Sequence, residues 1–418
     1  MIADFIIRNA SVVATCAGPA PRRGDGQGNI AAIPQAAIAS RDGRIVFVGP
    51  EAGMQRAISH TPGAKVIDAG GGVVVPGFVD PHTHVVFAGD RREELQRRLA
   101  GVTYAQIATE GGGIVRTVDA TRKATEAELV AGGKARLEEM LACGTTSCET
   151  KSGYGLTTDA ELRQLKAIRT LAGTQPIEIS ATFMGAHEVP VEFRDKRQAY
   201  IDTIVKEMIP RVAREDLAEW CDVFCEEGVF TPAESKAILD EGVRCGLKPR
   251  IHADELSDSG GSRLAAELGA RSADHLVFVS EASAKLLASR GVIATLLPAA
   301  SFYLKVGRFA PARMLIDQGV PIALATDVNP GAGFSPSMAF VMTIACFALG
   351  LTLEEALVAS TINGACALDR QQDIGSLEVG KQLDAVILRG ALSDLVRVGA
   401  PVIATVIKKG RVVYQSGK

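Results

Sequence analysis

Six histidines occur in the 418 residues, and two of them, His82 and His84, stand one residue apart in VVVPGFVDPHTHVVFAGDRREE, residues 73–94. The stretch reads as a β-branched run, a turn at Pro76-Gly77 and a resumed strand. The pair then falls at a strand end with both imidazoles on one face. Neutral imidazoles suit zinc or iron, and a carboxylate completes such a site. His252 ends KPRIH and Asp327 ends VPIALATD, and both can converge on the pair. Three nitrogens and one oxygen leave a position for water, which a metal ion lets ionise near pH 7 instead of about 15.7. An H-x-H alone is a weak sign, and a lone strand-end histidine is usually structural. The joint pattern makes His82, His84, His252 and Asp327 the candidate ligands of one divalent or trivalent metal ion.

Residues this far apart in the chain meet only on a scaffold that brings strand ends together. Short apolar strands (IEISATFMGAHEV, WCDVFCEEG, KPRIHADE, SADHLVFVS, VIATLLPAA, VPIALATDV) alternate with helical patterns such as EAELVAGGKARLEEMLACG and TPAESKAILDEGVRCG. That alternation argues for parallel βα units. About eight units between residues 76 and 370 suit a closed (β/α)8 barrel, an α/β fold whose active-site groups gather at the C-terminal strand ends. His82, His84, His187, His252 and His275 would then all face one mouth. Residues 1–75 and 371–418 show short alternating strands with turns at Asp42-Gly43 and Lys409-Gly410, and are expected to form one composite β-sandwich from both ends. GPAPRRGDGQGN reads as a polar loop.

Hydrophobic residues make up 47% and charged residues 22%, with a net charge of −3. This is ordinary globular composition and offers no basic surface, so neither nucleic acid nor membrane is an expected partner. MIADFIIRNASVVATCAG alternates like a strand and lacks the basic start and apolar core of a secretion signal. No run nears the roughly 20 apolar residues of a membrane span. Among the eight cysteines, Cys143/Cys148 and Cys221/Cys225 are spaced wrongly for C-x-x-C knuckles. They read as reduced thiols of a cytoplasmic protein.

PGFVDPHTH, the later strand-end histidine, the terminal ATD and TINGACALDRQQDIGSLEVGKQLDAVIL resemble the amidohydrolase superfamily over nearly the whole chain. HTHVVFAGDR, KSGYGL, FMGAHEVP, HADELSDSGG, ADHLVFVS and ATDVNPGAG, in that order, resemble its imidazolonepropionase family. The resemblance implies a hydrolase that opens the cyclic amide of 4-imidazolone-5-propanoate to N-formimidoyl-L-glutamate in histidine degradation. It also implies one zinc or iron ion, a small-molecule substrate with a propanoate tail, and a homodimer. No lysine ends the fourth barrel strand, as in relatives holding two metals, and Lys151 in KSGYGL reads as loop structure. The alternative enzyme is an aminohydrolase releasing ammonia from a heterocycle, which shares the H-x-x-E element. A catalytically silent barrel would have lost ligands, and all four are present.

For the implied substrate, Arg91 is the candidate for the propanoate, because guanidinium grips carboxylate with two hydrogen bonds. Its other use would be a surface ion pair with Glu93 or Glu94, and Arg92 is the natural control. Tyr154, flanked by glycines, and more weakly Tyr104, are candidate donors to the ligand. His187 could contact the ring carbonyl or amide. Glu255, three residues past His252, could contact the ring, take a proton from water and return it to the departing nitrogen. His275 could hydrogen-bond that water or the developing oxyanion, and Asp327 could also move a proton. The general base stays open among Glu255, His275 and Asp327. Asn329 offers an amide, Pro330 has no N–H, and Gly331 and Ala332 supply the next backbone donors for a carboxylate or amide oxygen. EGGGIVRT, at 110–117, lacks the lysine of a phosphate loop and reads as a flexible lid.

Overall fold

In the computed structural model, which describes all residues except 103–105, 108, 109 and 418, the chain opens with five strands. They are β1 (Ile2–Ala14), β2 (Ala32–Arg41), β3 (Arg44–Pro50), β4 (Ser59–Asp68) and β5 (Val73–Pro76). β1, β2 and β3 pair antiparallel. The β2–β3 turn places Asp42 and Gly43 at φ 51° and 76°, the left-handed pair a tight hairpin needs.

Eight parallel strands follow, each next to its neighbour in the chain: β6 (Phe78–Asp80), β7 (Thr145–Lys151), β8 (Glu178–Ala186), β9 (Trp220–Cys225), β10 (Lys248–Ala253), β11 (Ser272–His275), β12 (Ile293–Leu296) and β13 (Ile322–Leu324). Helices intervene, and their starts are written locally. Thr125 with Glu128, and Thr231 with Glu234, exchange hydrogen bonds at the first turns of helices Glu126–Ala142 and Pro232–Arg244, which satisfies free N–H groups there.

The last three strands, β14 (Ala385–Leu388), β15 (Ile403–Lys408) and β16 (Arg411–Gln415), join the first five in the order β16-β15-β14-β5-β1-β2-β3, with β4 beside β1. This sheet folds back on itself: Ile45 N–H donates to Lys381 O and Leu383 N–H to Gly43 O, both at 2.8 Å. Phe5, Ile7, Ile38 and Ile45 meet Leu383, Ala385 and Ile407 in the enclosed space. One buried lysine, Lys408, bonds Asp384 Oδ2 at 2.7 Å and Ser147 Oγ at 3.2 Å, which fastens this layer to β7 of the barrel.

Strands β6 and β13 are the two ends of the barrel sheet, and the seam between them closes just above the strands. Asp327 N–H donates to His82 O at 3.1 Å and His84 N–H to Val328 O at 2.8 Å, while Asp80 accepts from the Thr326 N–H at 3.1 Å and from its hydroxyl. Regular strand ends at Asp80, so the histidine pair lies beyond it. Its backbone is still paired on both sides, Thr83 O accepting from Lys151 N–H at 3.0 Å, and the alternation that puts both imidazoles on one face persists.

One expectation is corrected. Lys151 ends β7 and is fully buried, for reasons given below. The polar loop GPAPRRGDGQGN is mostly exposed or half-buried, but Gln27 within it is fully buried, its side chain donating to Ile322 O at 3.1 Å and accepting from Ile322 N–H at 3.2 Å. That amide serves the backbone groups opening β13 as a neighbouring strand would. EGGGIVRT runs directly into a helix, Ile114–Lys123. All eight cysteines are free thiols. Among the described residues, no helix is long and apolar enough to cross a membrane.

Candidate metal centre and active site

One ligand atom each of His82, His84 and His252 lies within 4.8 Å of the others, all three residues buried. Asp327 Oδ1 is 3.7 Å from Nε2 of both His82 and His84. The Nδ1 of His82 is turned to Asp274 Oδ2 at 2.7 Å and that of His252 to Asp222 Oδ1 at 3.1 Å. A carboxylate can only accept, so each Nδ1 carries the proton and each Nε2 keeps a lone pair. His82 Nε2 is buried with no hydrogen-bond partner. Burial, followed by repulsion from Lys151 and from neighbouring imidazoles, holds His82 and His84 well below 6.5. Neutral imidazoles with a buried, unsatisfied lone pair fit a metal cation and fit little else.

Sequence reasoning missed the groups that orient these imidazoles. Asp222 sits inside the apolar strand WCDVFC and Asp274 inside SADH. Each is neutralised from behind: Asp222 Oδ2 by Lys151 Nζ at 2.8 Å, Asp274 Oδ2 by Arg250 Nη2 at 3.3 Å. Lys151 also meets Glu149 Oε1 at 2.6 Å. All five charged side chains are fully buried, which costs several kcal/mol per unpaired ion and explains why each has a partner. The available signal was a lone carboxylate within an apolar strand, since such a group must find a cation or a donor once buried.

A cavity of about 280 Å³ opens beside the imidazoles. Arg91 lines it and is only 4% exposed. Its Nε donates to Thr117 Oγ1 at 2.9 Å, and it joins no ion pair among the described residues. Glu93 instead pairs with Arg116, and Glu94 accepts from Gly113 N–H. The surface ion pair weighed for Arg91 is therefore not formed, and Arg92 is exposed. Tyr154 and His187 form the facing wall, their rings 5.2 Å apart, with His187 stacked on His84 at 5.0 Å. The His187 Nδ1–H donates to Gly153 O at 3.0 Å, and burial pushes its pKa down to about 3. Tyr104 lies outside the described residues.

Glu255 and His275 line the same cavity, Glu255 Oε1 standing 3.5 Å from His275 Nδ1. Burial, then the negative charges of Asp327 and Glu226, hold the Glu255 carboxyl well above 4.5. Burial also raises Asp327 to about 7, against the opposing pull of His252 and Asn329; a cation among the imidazoles would lower it. His275 and Asp327 both have left-handed backbone, φ 76° and 55°. Such strain in non-glycine residues collects where geometry is imposed by a site. Asn329, Gly331 and Ala332 do line the cavity, but Asn329 Oδ1 accepts from the N–H of Gly331 at 2.8 Å and of Ala332 at 2.7 Å, while its Nδ2 donates to Asp327 O at 2.8 Å. The N-P-G-A turn is closed on itself, and its amides shape the loop instead of facing outward.

Residues 73–413 match the amidohydrolase family model. An imidazolonepropionase of Symbiobacterium thermophilum is 50% identical over 99% of this chain and 98% of its own length. One from Alkaliphilus metalliredigens is 46% identical over the whole of both. The chain belongs to the imidazolonepropionase family of amidohydrolases. A solved adenosine deaminase from Xanthomonas campestris, with bound zinc, superposes with a TM-score of 0.71 at 20% identity, over 98% of this chain and 93% of that one; this likeness speaks for the fold. Membership of the imidazolonepropionase family makes the chain a hydrolase with a metal cofactor, and the cluster of His82, His84 and His252 has the chemistry to hold the ion.

Proposed function

We propose that the chain hydrolyses 4-imidazolone-5-propanoate to N-formimidoyl-L-glutamate, with one zinc or iron ion held by His82, His84, His252 and Asp327. The observation that carries this reading is a single cavity holding both a buried guanidinium that pairs with no carboxylate among the described residues and a cluster of neutral imidazoles with a carboxylate. A ligand for it must present an anion to one end and a hydrolysable group to the other.

When bound, the ion supplies Lewis acidity and a water that ionises near neutral pH. The chain's own residues do the rest. Arg91, fixed through Nε by Thr117, keeps its two Nη groups for the propanoate and so sets the ring's position. Tyr154 and His187 wall the ring and exclude water. Glu255 receives a proton as water adds to the ring carbonyl carbon, then delivers it to the ring nitrogen as the carbon–nitrogen bond breaks. His275, 3.5 Å from Glu255, hydrogen-bonds the developing oxyanion. The product gains a carboxylate and keeps its nitrogens.

The purified protein, assayed with imidazolone propanoate alongside a panel of purines and pyrimidines, should open the imidazolone without releasing ammonia. Ammonia release with an intact ring would replace this reading with deamination. Metal analysis of the active protein decides between zinc and iron.

A further inference from the structure

The buried ammonium of Lys151 touches neither the cavity nor a proposed ligand, yet it stands between the two carboxylates that govern three of those ligands. Asp222 Oδ2 is 2.8 Å from Nζ, and the other oxygen, Oδ1, takes both Nδ1 and the backbone N–H of His252, at 3.1 and 3.2 Å. Glu149 Oε1 is 2.6 Å from Nζ, and Oε2 takes the N–H of Thr83 at 3.2 Å. Thr83 is the residue between His82 and His84. Its hydroxyl donates to Glu149 O at 2.6 Å, and its carbonyl accepts from the Lys151 N–H at 3.0 Å. Each carboxylate thus spends one oxygen on the ammonium and aims the other at the ligand backbone or ring.

We infer that Lys151 is a positioning residue of the metal centre, holding Glu149 and Asp222 so that the His82–Thr83–His84 segment and His252 meet in the geometry that binds one ion. This rests on the metal site proposed above. A cation so close to a metal also repels it, so the two effects of Lys151 oppose each other. The contacts decide between them: Nζ hydrogen-bonds Glu149 Oε1 at 2.6 Å and forms a 2.8 Å ion pair with Asp222 Oδ2, whereas its effect on the imidazoles acts through space. Burial alone would lower the Lys151 pKa, but Asp222 and Glu149 outweigh it and raise it above 10.5, so the ammonium persists.

The test is zinc affinity, read by competition between the holoenzyme and a chromophoric chelator, together with the absorption spectrum of the cobalt-substituted protein. Lys151→Met and Lys151→Gln should bind zinc roughly 10- to 100-fold more weakly than the unaltered chain, with an altered cobalt spectrum. Lys408→Met, which removes a buried lysine from the joint between sheet and barrel, should lower Tm and leave zinc affinity unchanged. Unchanged or tighter zinc binding in the Lys151 variants overturns the inference, and tighter binding assigns Lys151 to repulsion. Should both variants fail to fold, Glu149→Gln keeps an acceptor for Thr83 while releasing the ammonium; unchanged affinity there overturns it equally. If the unaltered chain binds zinc no better than His252→Ala does, the metal site itself is misread, a result separable from failure of Lys151 alone.

Discussion

Gly331 is the surface on which the Arg91 guanidinium rests: a β-carbon added there would lie 2.2 Å from Nη1. The contact lies between two chain segments whose side chains share the cavity, and only a residue without a side chain permits it. Gly331→Ala should therefore push the guanidinium aside without disturbing the fold. We expect KM to rise roughly 10- to 100-fold with kcat much less affected, and Tm to stay within a few degrees. An unchanged KM would mean that Arg91 relocates freely or does not bind substrate.

Removing the cation itself should act in the same direction. Arg91→Ala is expected to cost about 1.5–3 kcal/mol of substrate binding, roughly 10- to 150-fold, whereas the exposed Arg92 tolerates alanine. Equal effects of the two substitutions would put the carboxylate elsewhere.

Glu255→Gln keeps the shape of the side chain and removes its ability to accept a proton. Metal content and binding of a ring analogue should persist while kcat falls by about 10²- to 10⁴-fold, and the acidic limb of the pH–rate profile should change. Retention of most turnover would move the base to His275 or Asp327.

Alanine at His82, His84, His252 or Asp327 should lower metal content and activity together. Because the ion binds only the folded chain, stripping it should also lower Tm. The stabilisation is about 4 kcal/mol when the free ion is at 1,000 times its Kd. Stoichiometric metal in His252→Ala would remove that residue from the ligand set.

Outside the cavity lining, Glu234 joins Arg197 and caps its own helix through Thr231. The hydrogen bond from Arg197 leads the causes that lower its carboxyl from 4.5 to about 2. A depressed folded pKa means that the stabilisation is full above about 4.5 and disappears as pH falls through 2. Solvent screens much of the ion pair and glutamine can still accept from the Thr231 N–H, so Glu234→Gln should cost about 1 kcal/mol or less at pH 7, mostly through the weakened bonds to Arg197. In denaturant titrations the difference between the two proteins should vanish across that acidic window.

What could be foreseen from the amino acids divides along physical lines. The hairpins at Asp42-Gly43 and Lys409-Gly410 follow from backbone chemistry within four residues. The barrel follows from strand and helix periods, and the histidines from their places at strand ends. Lys151 was misjudged because its neighbours in the chain, Ser152 to Leu156, look like a turn, and the cause of its burial is Asp222, two barrel strands away. The burial of Gln27 was illegible for the same reason: nothing within GPAPRRGDGQGN signals that its side chain meets the Ile322 backbone. The Asn329 turn was local and could have been foreseen, since an Asx side chain before Pro-Gly commonly takes the next free N–H groups for itself.

The closure of the barrel seam bears on the order in which the molecule is made. Asp80 and Thr326 are 246 positions apart, and the imidazole pair and Asp327 lie immediately beyond them on either side of that join. A chain lacking the last barrel strand cannot place Asp327 beside the imidazoles, so the four proposed ligands meet only once that seam has closed. An ion held by those ligands would therefore be captured only by the completed barrel: an early fragment should stay metal-free, and the bound ion should slow reopening of the seam, a latch on the finished fold.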